Sequence, residues 1–203
     1  MAGIRGVVRE RLFHSRACDS AVEHELKPPE PKPVVADESQ RARAIALGIS
    51  ITVQHPLLYV NGKEILESWG PERAAAVMPV RSWLDEGATV AAGTDSVRPF
   101  DPMLNIWGMV TRGTKDVGVQ GPEESIDQYA AIELYTSAGT RLTGEAERRG
   151  TLETRRLADF VAYRADPVTA PVDDLPSLAP VITCVGGRAA YDPEHLLESG
   201  TGR

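Results

Sequence analysis

Two short apolar runs, Ile49-Ser-Ile-Thr-Val53 and Ala88-Thr-Val-Ala-Ala92, each with helix signals ahead of it, constrain this chain more than any other feature. The first is rich in β-branched residues and ends at Gln54-His55-Pro56. The second is largely apolar, as in a strand of a buried parallel sheet. Asp37 is an N-cap with Gln40 as its reciprocal partner three residues on, and Gly48 sits where a left-handed glycine closes a helix. Between the runs, Pro71 opens a helix with Glu72 in its first turn, Pro79 interrupts or restarts it, and Gly87 ends it. The order helix–strand–helix–strand predicts an α/β fold with parallel strands.

The remainder is less uniform. Met1 to His24 has poor periodicity, and Lys27-Pro-Pro-Glu-Pro-Lys-Pro33 excludes helix and central strand, so 1–36 reads as an irregular, proline-rich N-terminal segment. A loop with Pro99 and Pro102 leads to a helix with Ser125 and Gln128 as its capping box and Gly139 as its end. After Gly150 the texture becomes strand-like, at Leu157–Tyr163, Val181–Val185 and Arg188–Tyr191, with Gly186-Gly187 at a hairpin position. These strands predict an antiparallel unit over 146–192, distinct from the α/β part at 37–145, and then a tail over 193–203.

The 203 residues suffice for one domain, or one domain and a small appendage, with a real core. Their net charge of −7 is spread among charges of both signs, which argues against nucleic acid or an anionic membrane as the main partner. No apolar run approaches the ~18 residues of a membrane span. Arg5, Arg9 and Arg11 are followed by no apolar stretch, so the N-terminus does not read as a signal peptide. Cys18 and Cys184 lie far apart in no metal or disulfide pattern, which makes a reducing cytoplasm the expected compartment.

Asp95 ends the turn Ala92-Gly93-Thr94-Asp95, just past the second strand. Side chains at that end of a parallel strand line the active face, and a carboxylate there can bind a divalent metal or accept a proton. On local sequence it is equally an N-cap or Asx-turn residue. His24, in Val22-Glu23-His24, is a metal-ligand candidate whose plain alternative is a surface histidine beside the proline-rich segment. His55 ends the first strand and faces the same rim as Asp95, either toward substrate or as a structural plug. His14 and His195 are isolated. Trp69, Trp83 and Trp107 fall in or beside helical stretches and read as core. No H-x-H, H-E-x-x-H, P-loop, G-x-G-x-x-G or G-x-S-x-G occurs.

Taken as a set, several segments resemble amidohydrolase family 3, the metal-dependent hydrolases that include N-substituted formamide deformylases. Ala46–Gln54 is similar to its seventh barrel strand. Ala91-Ala-Gly-Thr-Asp-Ser96, with Pro99, Asp101-Pro102 and Ile106-Trp107, is similar to its eighth strand and the loop that follows. Gly150-Thr-Leu-Glu, Leu157-Ala-Asp159, Asp166-Pro167 and Val185-Gly-Gly-Arg188 resemble its C-terminal closure. The resemblance implies the C-terminal part of a (β/α)8 TIM-type barrel, followed by strands of a small β-sandwich built from both chain ends. It further implies hydrolysis of a carbon–nitrogen, non-peptide bond of a small amide-type substrate at a divalent metal, in first place zinc. Asp95 matches the eighth-strand aspartate, metal ligand and general base, and His24 the sixth-strand histidine ligand.

Departures accompany the match. The H-x-H pair, the fourth-strand carboxylate or lysine and the fifth-strand histidine have no counterparts, and Thr154-Arg155-Arg156 stands where the family has Pro-Gly-Lys. Catalytic zinc generally takes three protein ligands and an open position. Two expectations follow. Either the chain is the C-terminal portion of such a hydrolase, completed by an N-terminal half, or it is a catalytically incompetent fragment that persists as a homo-oligomer or interaction module.

Overall fold

The computed structural model describes residues 6–8, 35–95 and 100–197. His24 and the proline-rich stretch lie outside the described residues, as do His14 and Cys18. The protein is a mixed α/β structure.

Helix α1 (Glu38–Ala46) begins on the expected capping box. Asp37 Oδ1 accepts from the Gln40 amide at 2.8 Å, and the Gln40 side chain accepts from the Asp37 amide at 3.0 Å. Gly48 closes it with φ 66. Arg41 anchors its outer face to the Ala36 carbonyl and the Glu86 carboxylate. Strand β2 (Ile51–Val53) follows, and β3 (Val90–Ala92) lies parallel to it with Ile51 opposite Val90 and Val53 opposite Ala92. The parallel pairing is as expected, although both strands are shorter than the apolar runs that contain them.

The connection between them differs from the sequence reading at one point. Helix α2 (Pro56–Ala75) starts directly after β2, with Pro56 at its first position, so the segment after His55 is helical. Gly70 (φ 78, ψ 169) breaks α2 in two, and Pro71 opens the second half as expected. Pro79 precedes α3 (Val80–Asp85), and Gly87 (φ 83) ends the segment.

Beyond β3, Asp101 caps α4 (Pro102–Thr111) by accepting from the Met103 and Leu104 amides at 2.9 and 3.1 Å. Helices α5 (Gln128–Tyr135) and α6 (Ser137–Leu142) correct the Ser125/Gln128/Gly139 expectation. Asp127 caps α5, Ser125 closes a preceding 3-10 turn, and Gly139 lies inside α6. With two capping residues two positions apart, the one aligned with a donor prevails.

The other sheet is antiparallel, in the order β1 (Gly6–Val8), β4 (Phe160–Tyr163), β5 (Pro180–Val185), β6 (Arg188–Tyr191). Gly186 and Gly187 both have positive φ, as the tight turn between β5 and β6 requires. The strand at Gly6–Val8 corrects the wholly irregular reading of the N-terminal segment. Arg155, one of the departures noted above, holds its turn in a left-handed conformation, φ 72.

One apolar core spans both sheets. It joins Val53, Leu58, Trp83, Val90, Ile106 and Met109 to Val161, Tyr163 and Leu175. Gln128 fastens α5 to the C-terminal region by donating to the Pro167 and Ala170 carbonyls at 3.1 and 2.9 Å. Trp83 is core as expected, and Trp107 packs edge-on to Tyr59 with ring centroids 6.3 Å apart. Trp69 is 43% exposed and does not serve the core. No described helix is long and apolar enough to cross a membrane.

Candidate active face

Strands β2 and β3 run the same way, so the residues that leave their C-terminal ends emerge at one edge of the fold. The Gly93 amide donates to the Val53 carbonyl at 3.0 Å, which continues the ladder one step beyond β3. The chain then turns through Thr94 to Asp95. Asp95 is solvent-exposed and holds a left-handed backbone, φ 56, a conformation that Asp tolerates better than most residues. The turn therefore places Asp95 at the surface, past the strand tip.

His55 leaves the tip of β2 at the same edge but does not reach the surface. It is 2% exposed and occupies the N-cap position of α2 without capping it. Its ring lies directly on the backbone of α4. A Cβ built on Gly108 would fall 2.6 Å from His55 Cδ2, so the site requires glycine. Burial, and next to it the Arg112 guanidinium, push the His55 pKa down to about 3, which keeps the ring neutral. Gln54 and Asn105 are buried beside these elements, at 7% and 3% exposure. Among the described residues, Gln54 Oε1, both His55 ring nitrogens and Asn105 Nδ2 have no hydrogen-bond partner.

Arg112 organises the neighbourhood from below. It caps α4 in a left-handed conformation and sends its side chain inward. Its Nε donates to the Gln120 and Gly121 carbonyls, Nη1 to Met78, and Nη2 to Val77 and Ala75, over 2.6–3.4 Å. Burial lowers its pKa to about 10, opposed by Glu124 and Glu123, so it remains a cation. Glu124 in turn accepts from the Ser82 amide at 2.9 Å and from its hydroxyl. Nothing in the sequence distinguishes Arg112 or Asn105 from a surface residue; their burial comes from tertiary packing alone.

A cavity of about 180 Å³ opens at the other end of β3, among Leu84, Ala88, Thr89 and the Glu133–Arg141 ion pair. It lies away from Asp95 and has no part in the strand-tip arrangement.

Among the described residues, no group of three or more His, Cys, Asp or Glu side chains could hold a metal ion. Asp95 and His55 share an edge, but one is exposed and the other buried. The described residues do not by themselves fit a catalytic metal centre.

Comparison with known proteins bears on this arrangement. The sequence model described as "Amidohydrolase family" matches residues 20–191. The N-substituted formamide deformylase of Arthrobacter pascens is 27% identical over 161 residues, which are 78% of this chain and 30% of that protein. A 5-methylthioadenosine/S-adenosylhomocysteine deaminase of Desulforudis audaxviator is 29% identical over 93 residues, 46% of this chain and 22% of that protein. The chain thus spans less than a third of either relative. An uncharacterized metal-dependent hydrolase from Pyrococcus horikoshii superposes with a TM-score of 0.60 at 25% identity, over 69% of this chain and 29% of that one. In fold alone, the chain is also similar to a zinc-bound adenosine deaminase from Xanthomonas campestris, with a TM-score of 0.56 at 16% identity, over 80% of this chain and 36% of that one. With a family match over nearly all the described residues, the chain belongs to the amidohydrolase family.

Proposed function

We propose that this chain forms the C-terminal part of a metal-dependent hydrolase that cleaves a carbon–nitrogen bond other than a peptide bond, with Asp95 on its active face. The observation that carries the reading is the position of Asp95, exposed in a left-handed turn just past the tip of a parallel strand. On this reading 37–145 is a partial TIM-type barrel and 146–192 the β-sandwich-type closure, which β1 joins from the other end of the chain. The substrate is a small amide-type molecule. Relatives named for deformylation and for deamination both break carbon–nitrogen bonds, which supports that class.

A divalent metal, in first place zinc, is the cofactor this reading calls for, with Asp95 and His24 as this chain's ligands and His55 on the substrate side. The 203 residues contain no H-x-H pair, so a full ligand set needs further strands, from a longer form of this chain or from a second chain. A reducing cytoplasm suits two cysteines so far apart.

Metal analysis tests the reading, on the chain alone and co-expressed with a barrel segment that carries H-x-H. We expect about one equivalent or more of divalent metal in the co-expressed sample, lost on Asp95→Asn or His24→Ala. Equal metal in the wild type and both variants would overturn it, as would none in any sample.

One observation favours a second reading, that of an oligomerising or interaction module without chemistry of its own. Among the described residues, β2 and β3 pair with each other and with no further strand, which leaves an outer edge on each.

A further inference from the structure

We propose that the cavity at the base of β3 binds a free aliphatic α-amino acid, with the side chain on an apolar floor and the two charged groups against Glu133 and Arg141. The site lies at the opposite end of β3 from Asp95, so the inference goes beyond the hydrolase reading and does not rest on it.

The entry to β3, α5 and α6 enclose most of this cavity of about 180 Å3. Ala88 and Val90 line it from the strand, and Ala130, Glu133 and Leu134 from α5. The last three recur at three- and four-residue spacing, which places them on one helix face. Val90 and Leu134 are buried, and Ala88 and Ala130 are half-buried. Glu133 and Arg141 both keep part of their side chains open to solvent. Polarity is therefore sorted by depth, with aliphatic carbon inside and a carboxylate beside a guanidinium at the mouth. That is the pattern of a site for a small molecule with an apolar body and a charged head.

The ion pair leaves room for that head. Arg141 Nη1 and Nη2 both donate to one oxygen, Glu133 Oε1, at 3.1 Å, and the Ser137 hydroxyl donates to the same atom at 3.4 Å. Among the described residues, no donor reaches Glu133 Oε2, and Arg141 Nε meets no acceptor. One anionic acceptor and one cationic donor thus stand open side by side. A lone ammonium would satisfy the first and oppose the second, and a lone carboxylate the reverse. An α-amino acid carries both groups on one carbon, so it extends the alternation of charge without breaking the Glu133–Arg141 pair. Its side chain leaves the same carbon and has the apolar floor to enter. A cavity of about 150 Å3 takes a benzene ring, so this one has space for a branched side chain of about four carbons.

The test uses the full chain with 13C-methyl-labelled alanine, the Ala88 and Ala130 signals being assigned through Ala88→Ser and Ala130→Ser. L-leucine is the probe, set against three compounds that each lack one part of it. Isoamylamine lacks the carboxylate, 4-methylpentanoate the ammonium, and glycine the side chain. We expect leucine to shift both methyl signals saturably, with a Kd of about the millimolar order, and each of the others to bind at least about fivefold more weakly. Glu133→Gln should weaken leucine about fivefold, and Ala130→Leu, which fills the cavity, should abolish the shift at Ala88. Thermal melts check that both variants fold. The proposal is overturned if leucine shifts neither signal, if any of the three other compounds binds as tightly, or if either folded variant keeps the leucine affinity of the wild type. Should a variant fail to fold, the contrast among the four compounds on the wild type decides alone.

Discussion

At the scale of single residues, His55 couples stability to pH. In the unfolded chain its ordinary value is 6.5, whereas burial and Arg112 hold it at about 3 in the fold. Between those values the unfolded state binds the extra proton. Stability attributable to His55 is therefore complete above about pH 6.5 and falls as pH drops toward 3, at up to about 1.4 kcal/mol per pH unit. Carboxylates also titrate on the way down, so the signature is the difference between the wild type and His55→Gln. Denaturant unfolding from pH 7 to pH 4 should show the wild type losing stability more steeply. Parallel curves would show that His55 is not held neutral. The sequence marks His55 as a strand-tip residue, but whether such a side chain faces solvent or folds back under the neighbouring helix depends on Gly108, some fifty positions away. The exposed turn at Asp95 was legible because it is encoded in its own four residues.

At the scale of elements, the clearest dependence is that of the α2–α3 connection on Arg112. Three backbone carbonyls within four residues, those of Ala75, Val77 and Met78, and the carbonyls of Gln120 and Gly121 all accept from one guanidinium. Gly121 presses against the Ala75 carbonyl so closely that a Cβ would lie 2.1 Å from its oxygen, which leaves no room for water to substitute. Arg112→Met would strand those carbonyls at about 1–3 kcal/mol for each left unpaired, so the unfolding free energy should drop by more than about 3 kcal/mol. Arg112→Lys keeps the charge but not the planar fan of donors, and should recover only part of that loss. Thermal or urea unfolding of the two variants checks the order. Elements signalled by local chemistry were readable in advance: the α1 capping box, the two parallel strands and the Gly186-Gly187 hairpin. The first half of α2 was obscured because Gln54-His55-Pro56 reads as a strand exit, although proline at a first helical position was the available signal. The Arg112 clasp joins positions more than thirty residues apart, and no local pattern encodes it.

At the scale of the whole molecule, the main hydrophobic core reaches two sheets of opposite character, and the antiparallel sheet packs a second, small cluster of Ala162, Val181 and Ile182. The antiparallel sheet has four strands. The parallel one has two, and parallel strands are normally covered on both faces and flanked by neighbours. Edges of this kind pair with whatever strand is offered. We expect the chain by itself to sediment as a concentration-dependent oligomer, and co-expression with the remaining barrel strands to convert it to a defined complex. A monodisperse monomer at tens of micromolar concentration would count against both the partial barrel and the open edges. The parallel pairing could be inferred from the order of helices and strands, whereas the pairing of Gly6–Val8 with β4 could not, because nothing around Gly6 carries a strand period.

That last pairing carries a kinetic consequence. Gly6 opposes Tyr163 and Val8 opposes Val161, so β1, once synthesised, finds its neighbour only about 150 residues later. Closing a loop of that length costs on the order of 4 kcal/mol of chain entropy, which no local contact offsets beforehand. The α/β portion can assemble while synthesis continues, but the antiparallel sheet must wait for the carboxyl-terminal third. Its docking should be the slow step in refolding, and the interval in which the nascent chain depends most on chaperones.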